Sequence, residues 1–381
     1  MMLTGCERSP SIWRAGRLRG GLPILWLGMI WAFTAIAADL PLTEWQGETM
    51  GSTYTVKIAG TNVVSPQLDV LKQAVESRLK EVNRQMSHYQ PDSELSRFNR
   101  APAQEPFRIS ADFGRVLRTA MDLSQRSGGA FDPTLGPVIN LWGFGEASSL
   151  RHTPDENQLR KALAHTGLRH LRLTKETELV KDIPGLQLNF SAIAKGFGVD
   201  AMAEVMRERG FTNFYVSISG EVFGSGHNPR GTSWQVGISD PMNDWRPGDP
   251  TVTVLSISGR AVSTSGDYQK YFMDAQGRRQ SHVFDPRTGR PVQHNLGSVS
   301  VVADTCTLAD ALSTTLFVLG PETGPKLIET CTNAAALFVV READGSLRII
   351  PSSRFTSLTG CIILKRAVEG TKPLMNTDGH R

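Results

Sequence analysis

The chain has little of what marks several common protein classes. Four cysteines in 381 residues exclude a scaffold built on disulfides, and no C-x-x-C pair is present to hold zinc. There is no G-x-x-x-x-G-K-[ST] loop, no G-x-G-x-x-G after a strand and no H-E-x-x-H helix. A nucleotide or metal site, if the chain has one, is built another way. No internal repeat or low-complexity tract occurs. A mean hydropathy of −0.21 excludes a polytopic membrane protein. The excess of 41 basic over 37 acidic side chains is too small to imply a nucleic-acid partner. With 40% hydrophobic and 20% charged residues, the chain reads as globular.

What is present begins with an unusual first stretch. Arg8, Arg14, Arg17 and Arg19 precede a chargeless apolar run from Leu22 to Ala38, which ends in small residues before Asp39. A basic flank, a short apolar segment and small residues at its end read as an export signal, cleaved or kept as an anchor. The run is short for a membrane span, and Pro23 shortens its helix further. A buried helix is the alternative. Leu3-Thr4-Gly5-Cys6 imitates a lipid-attachment site but has no apolar segment before it. The expected organisation is residues 1–38 as export signal or N-terminal anchor, 39–366 as one unit and 367–381 as a polar tail. That unit keeps Cys306, Cys331 and Cys361, enough for at most one internal bridge.

Apolar spacing predicts helices over Leu68–Met86, Ala111–Ser127, Pro154–His165 and Ser191–Arg209. Further helices are expected over Leu308–Leu319 and Pro321–Thr330. Strands are expected at Gly51–Ile58, within Leu171–Leu188, and at Tyr215–Ser219, Trp234–Ser239, Val252–Ile257 and Ala261–Thr264. Others are expected at Tyr271–Asp274, Ser281–Phe284 and Ser298–Ala303, with a last hairpin from Ala335–Arg341 and Leu347–Ile350. Helices intermixed with antiparallel hairpins give an α+β class, mixed helices and antiparallel sheets in one compact unit. Residues 130–150 are rich in glycine and proline yet carry Phe131, Leu135, Ile139, Leu141, Trp142 and Phe144, so they pack on protein or ligand.

Four segments hold residues with chemistry. In Ala130-Phe131-Asp132-Pro133-Thr134, Asp132 either accepts hydrogen bonds from a ligand or forms an Asx turn, and Phe131 either stacks on a ring or fills the core. In Asn189-Phe190-Ser191-Ala192-Ile193-Ala194-Lys195-Gly196, a strand runs into a helix with Ser191 as N-cap. Free N–H groups at that end, and Lys195 in the first turns, suit a phosphate; a capped helix with a solvated lysine is the bland reading. Asp310 and Thr314 stand one turn apart on a helix, and their oxygens suit Mg²⁺ unless Asp310 is only a dipole partner or cap. His282, on a strand with Asp285 nearby, is the best general-base candidate among eight histidines, although a lone histidine is commonly structural.

Taken together, the chain resembles the ApbE family of flavin transferases. The resemblance rests on pieces standing in the family's order. They are Glu48-Thr49-Met50-Gly51-Ser52-Thr53-Tyr54, then Tyr89 with Pro91 through Asn99, then Gly129 through Thr134 and Ser191 through Gly196. Ala261 through Tyr268, His282 through Pro291 and Ala309 through Thr314 complete it, so that it spans most of residues 46–320. The resemblance implies an enzyme that binds FAD and Mg²⁺, moves FMN to a threonine or serine hydroxyl of an acceptor flavoprotein, and releases AMP. It implies FAD contacts at Met50, Tyr89, Ala130, Phe131, Asp132, Asn189, Lys195 and Val283. Metal ligands would fall on Ala192 through its backbone oxygen, on Asp310 and on Thr314, and His282 would act on the acceptor hydroxyl. The implied acceptor belongs to a membrane redox complex, and the implied location is the periplasm, with a tether to the inner membrane if the signal is kept.

One position departs from the family pattern: Asn189 stands where Asp is usual. It keeps an acceptor but loses the charge. Two other readings therefore stay open: a periplasmic FAD carrier or assembly factor without transferase activity, and an FAD pyrophosphatase. The charge count also resolves by region. Residues 1–38 hold four of the basic and one of the acidic side chains, so the rest of the chain is nearly neutral.

Overall fold

The computed structural model describes residues 39–145, 151–242, 251–268 and 270–360. The expected export signal, the polar tail and Cys361 lie outside the described residues. The main body is an eight-stranded sheet, antiparallel at every pairing. In spatial order its strands are Leu42–Thr49, Ser52–Ala59, Phe214–Ile218, Glu221–Ser225, Arg260–Gly266, Leu296–Ala303, Ala334–Arg341 and Leu347–Pro351. The helices are α1 (Ser65–Met86), α2 (Glu94–Arg100), α3 (Ala111–Arg126), α4 (Gly136–Leu141), α5 (Glu156–Leu163), α6 (Ala194–Glu208), α7 (Cys306–Glu329) and α8 (Phe355–Thr359). The α+β class read from the sequence is the one observed.

Alternation along the strands sorts residues to the two faces of the sheet. Val56, Ile58, Val216, Ile218, Val299 and Val301 enter the larger core with the apolar stripes of α1, α3, α6 and α7. The α1 stripe of Leu71, Val75, Leu79 and Val82 is the spacing seen in the sequence. On the opposite face, Val222, Val262, Val302, Ala335 and Leu337 pack with Trp234, Ile238, Leu255, Ile257 and Phe355. That second layer comes from a two-stranded ribbon, Trp234–Ser239 with Thr251–Ile257, and from α8.

The structure corrects several expectations. The strands Leu42–Thr49 and Glu221–Ser225 were not anticipated. The first alternates in exposure, but of its inward positions Thr43, Trp45, Gly47 and Thr49 only Trp45 is a large apolar residue, and the second is buried almost throughout, so neither shows an apolar period of two in the sequence. Helix α6 begins at Ala194, and Ser191 is not its N-cap. The Asn189 side-chain oxygen accepts from the Ser191 N–H at 2.9 Å, and this turn takes up the residues before the helix. The strand expected over Ser281–Phe284 is two short pieces, Arg279–Ser281 and Phe284–Asp285, with His282 and Val283 between them. Helix α7 breaks at Gly320, where φ is 74°, the boundary expected before Pro321.

The apolar stretch after Gly129 packs on protein. Leu135, Val138 and Trp142 form a small cluster with Leu159 and Phe284, and the Trp142 indole N–H donates to the Gly289 carbonyl at 2.9 Å. This anchors the turn after His282. Among the described residues, Cys306 and Cys331 are both free and buried.

Candidate active site

All of the FAD, metal and general-base candidates named from the sequence line one cavity of about 950 Å³, at the upper end of the range for small-molecule sites, whereas Asp285 does not. Several elements deliver them. Met50 and Gly51 form the two-residue turn between the strands Leu42–Thr49 and Ser52–Ala59, with φ of 51° and 68°. A positive φ is costly for methionine. It aims the side chain at α6, where Gly198 leaves room for it: a Cβ there would lie 2.8 Å from the Met50 methyl carbon.

Helices α6 and α7 meet at Gly196. A Cβ at this position would sit 2.3 Å from the Cys306 carbonyl oxygen and 2.7 Å from the Asp310 Cβ. The close approach brings the Gly196 N–H to Asp310 Oδ2 at 2.9 Å. The Asp200 carboxylate of α6 completes the crossing by accepting from the N–H groups of Cys306 and Thr307, each at 2.8 Å, and from the Thr307 hydroxyl at 2.6 Å. Asp200 and Thr305 thus cap α7. Asp310 does not cap its own helix.

Asp310 is only 4% exposed. Burial, and then the nearby Glu221 carboxylate, push it up to about 7. One turn on, the Thr314 hydroxyl stands 3.1 Å from that of Ser265, which lies 2.8 Å from that of Ser313. Among the described residues no group of three or more His, Cys, Asp or Glu is placed to hold a metal. The donors here are one carboxylate, hydroxyls and the backbone at Ala192. An all-oxygen set built round a buried acid that resists ionising alone fits a hard cation such as Mg²⁺.

Lys195 sits in the first turn of α6 and donates to Glu221 Oε1 at 2.6 Å. Burial opposes its charge, but Glu221 and Asp310 outweigh burial and hold the ammonium above the ordinary lysine range. Glu221 is a residue the sequence reading missed. It is 4% exposed, and among the described residues its Oε2 has no hydrogen-bond partner. The free N–H groups expected at the start of α6 are largely engaged. Ile193 and Ala194 donate to the Phe190 carbonyl, and Gly196 donates to Asp310. Positive potential here comes from side chains, Lys195 and, across the cavity, Lys270, which was also missed.

His282 is held from Lys270 and not by a strand or a carboxylate. The Lys270 carbonyl accepts from the His282 backbone N–H at 3.1 Å and faces Nδ1 at 3.1 Å. A carbonyl only accepts, so Nδ1 carries the proton and Nε2 keeps its lone pair. Asp285 is occupied by Arg287, which donates from its backbone and its guanidinium. Burial, with the charges of Lys270, Lys195 and Arg151, pushes His282 down to about 4, so it is neutral at pH 7.

The remaining residues divide between wall and mouth. Asp132 Oδ1 accepts from the Thr134 N–H at 2.8 Å and its hydroxyl at 2.6 Å, which is the Asx-turn reading. Burial raises it against those bonds. Phe131 belongs to the core and also faces the cavity, as do Ala130 and Val283. Tyr89 is 60% exposed at the mouth, its ring centroid 3.9 Å from that of His88. An exposed aromatic there is available to stack on a flat ring.

His88 is also pushed down to about 4, by burial first and then by Lys270. Its unfolded value lies near 6.5, so below that pH the unfolded chain takes up a proton that the folded chain refuses. His88 therefore removes stability as pH falls from 6.5 through about 4. His88→Asn should lose less stability than the unchanged chain between pH 7 and 5, read as urea midpoints. Equal losses would mean that the His88 ring is solvated.

Residues 50–338 match the model of the ApbE family. A Haemophilus influenzae protein named FAD:protein FMN transferase is 37% identical over 341 residues, covering 88% of this chain and 97% of its own. The Vibrio cholerae protein of that name is 39% identical over 313 residues, covering 81% and 90%. The solved structure of the flavin transferase ApbE from Vibrio cholerae superposes with a TM-score of 0.76 at 36% identity, over 84% of this chain and 99% of that one. The apo flavinyl transferase ApbE of Pseudomonas stutzeri gives 0.75 at 37% identity, over 85% and 98%.

Proposed function

The chain belongs to the ApbE family and is a flavin transferase, and from that premise we propose how it acts. It takes FAD as donor, transfers FMN to a threonine or serine hydroxyl of an acceptor flavoprotein, and releases AMP. The acceptor oxygen bonds to the phosphorus on the FMN side of the pyrophosphate. The bond from that phosphorus to the bridging oxygen breaks, and AMP leaves with that oxygen. His282 Nε2 takes the hydroxyl proton, a role open to it because the ring is neutral at pH 7. Lys195, oriented by Glu221, and Lys270 offset the charge of the phosphates.

Asp310, Thr314 and the Ala192 backbone are the residues that would hold Mg²⁺, which supplies charge neutralisation at the phosphoryl oxygens when bound. Tyr89 and Phe131 would flank the flat rings of FAD, with Met50, Ala130, Asp132, Asn189 and Val283 completing the wall. The single observation that carries this reading is the convergence of a neutral histidine, a lysine and a buried acid that resists ionising on one cavity. The run at residues 1–38 supports export to the periplasm and a tether to the inner membrane, and with it an acceptor in a membrane redox complex.

Asn189 gives no reason to prefer a carrier. Its side-chain oxygen is spent on the Ser191 N–H, a local bond that an aspartate would make equally. The test is to incubate the protein with FAD, MgCl₂ and an acceptor flavoprotein domain. The acceptor is expected to gain the mass of FMN with one AMP released per transfer. An acceptor that never gains that mass under a range of divalent metals defeats the proposal. FAD binding without AMP would indicate a carrier, and free FMN with AMP in the absence of acceptor would indicate that water is the nucleophile.

A further inference from the structure

We propose that the strand Trp234–Ser239 receives an extended segment of the acceptor protein as an added strand, and so leads the target hydroxyl into the cavity. This inference rests on the functional reading above. Among the described residues, Trp234–Ser239 pairs on one side only, with Thr251–Ile257. Its Gln235, Val236, Gly237 and Ser239 line the cavity, whereas no residue of Thr251–Ile257 does. The cavity therefore runs along the unpaired edge of the ribbon and not across its face.

That edge is held firmly and left unguarded. Trp234 and Ile238 enter the second core, the Trp234 indole N–H donates to the Ser225 carbonyl at 2.8 Å, and its ring lies 5.7 Å from that of Tyr215. The strand carries no charge and no proline, the devices that protect exposed edges from pairing.

A second observation extends the track. A shallower groove of about 320 Å³ lies on the sheet and is floored by Thr53, Thr55 and Ser217. It shares Ser52, Tyr215, Ser219, Gly220 and Val222 with the main cavity, so the two are continuous. Thr55 and Ser217 are cross-strand partners on the face opposite the helices, where Val56 and Val216 point. Unpaired backbone on one side and a hydroxyl floor beneath suit a polar, extended peptide, which forms main-chain bonds with affinity and reads few side chains. An apolar helix would leave those groups unsatisfied.

The test uses the full chain and an acceptor domain that it labels with FMN. Thr55→Arg and Ser217→Trp fill the groove and touch no residue assigned to FAD or metal. Each should raise KM for the acceptor about tenfold while leaving KM for FAD within about twofold. Unchanged acceptor KM in folded variants overturns the proposal. Independently of any variant of the enzyme, adding an acceptor whose target threonine is replaced by valine should slow amide hydrogen exchange at residues 235–239. Slowing confined to other segments overturns it as well. If the unchanged chain labels no acceptor although it binds FAD, the functional reading itself falls, which is a distinct result.

Discussion

Asp310→Asn is expected to lower kcat for FMN transfer about a thousandfold, roughly 4 kcal/mol of lost transition-state stabilisation, without weakening the fold. The two halves of the result follow from one fact. Asp310 is buried, and its folded value of about 7 lies above the ordinary 3.8. Its charge therefore costs stability at every pH above that ordinary value, and the full cost is present at pH 8. Asparagine keeps an oxygen for the Gly196 N–H and removes the charge. The melting temperature at pH 8 should stay the same or rise, while the charge needed to hold Mg²⁺ is lost. Transfer within tenfold of the unchanged chain would remove Asp310 from the site, and a clear drop in melting temperature would give it a structural role instead.

Gly196→Ala should be the most damaging single-methyl substitution near the site, costing about 3 kcal/mol of stability. The added Cβ would meet the Cys306 carbonyl at 2.3 Å, and backbone cannot swing aside as a flexible side chain can. Helices α6 and α7 would have to separate, which lengthens the bond from the Gly196 N–H to Asp310 and moves Asp310 relative to Lys195. Denaturant titration and transfer kinetics at a temperature where the variant is folded check both effects. A variant of equal stability would show that the helices yield at no cost. A variant that is less stable but transfers normally would show that the crossing does not position Asp310.

The long helices were legible because their buried stripes repeat at 3.6 residues, as Leu71, Val75, Leu79 and Val82 do. The site segments were legible for a different reason. Asp310 and Thr314 share a helix face by spacing alone, and Asn189, Ala192 and Lys195 flank one helix start. Where the reading of the residues depended on what a neighbour does, it failed. Ser191 looked like a cap, but Asn189 takes its N–H. Asp285 looked like a partner for His282, but Arg287 occupies it. The start of α6 looked open to phosphate, but Phe190 and Asp310 engage its first N–H groups.

The sequence by itself determined which residues could carry chemistry, where the apolar stripes lie, and that the basic excess belongs to residues 1–38. These are short-range properties, set by residue type and by spacing within one element. Only the tertiary structure decided the electrostatics. Glu221 reaches Lys195 because two segments of the chain come together, and its charge raises Asp310 across to a third. The Lys270 carbonyl selects the tautomer of His282 and its ammonium helps keep the ring neutral, although twelve residues separate them. The physical reason is that a pKa depends on burial and on charges within a few ångströms, and those distances exist only once the sheet and helices have closed around the cavity.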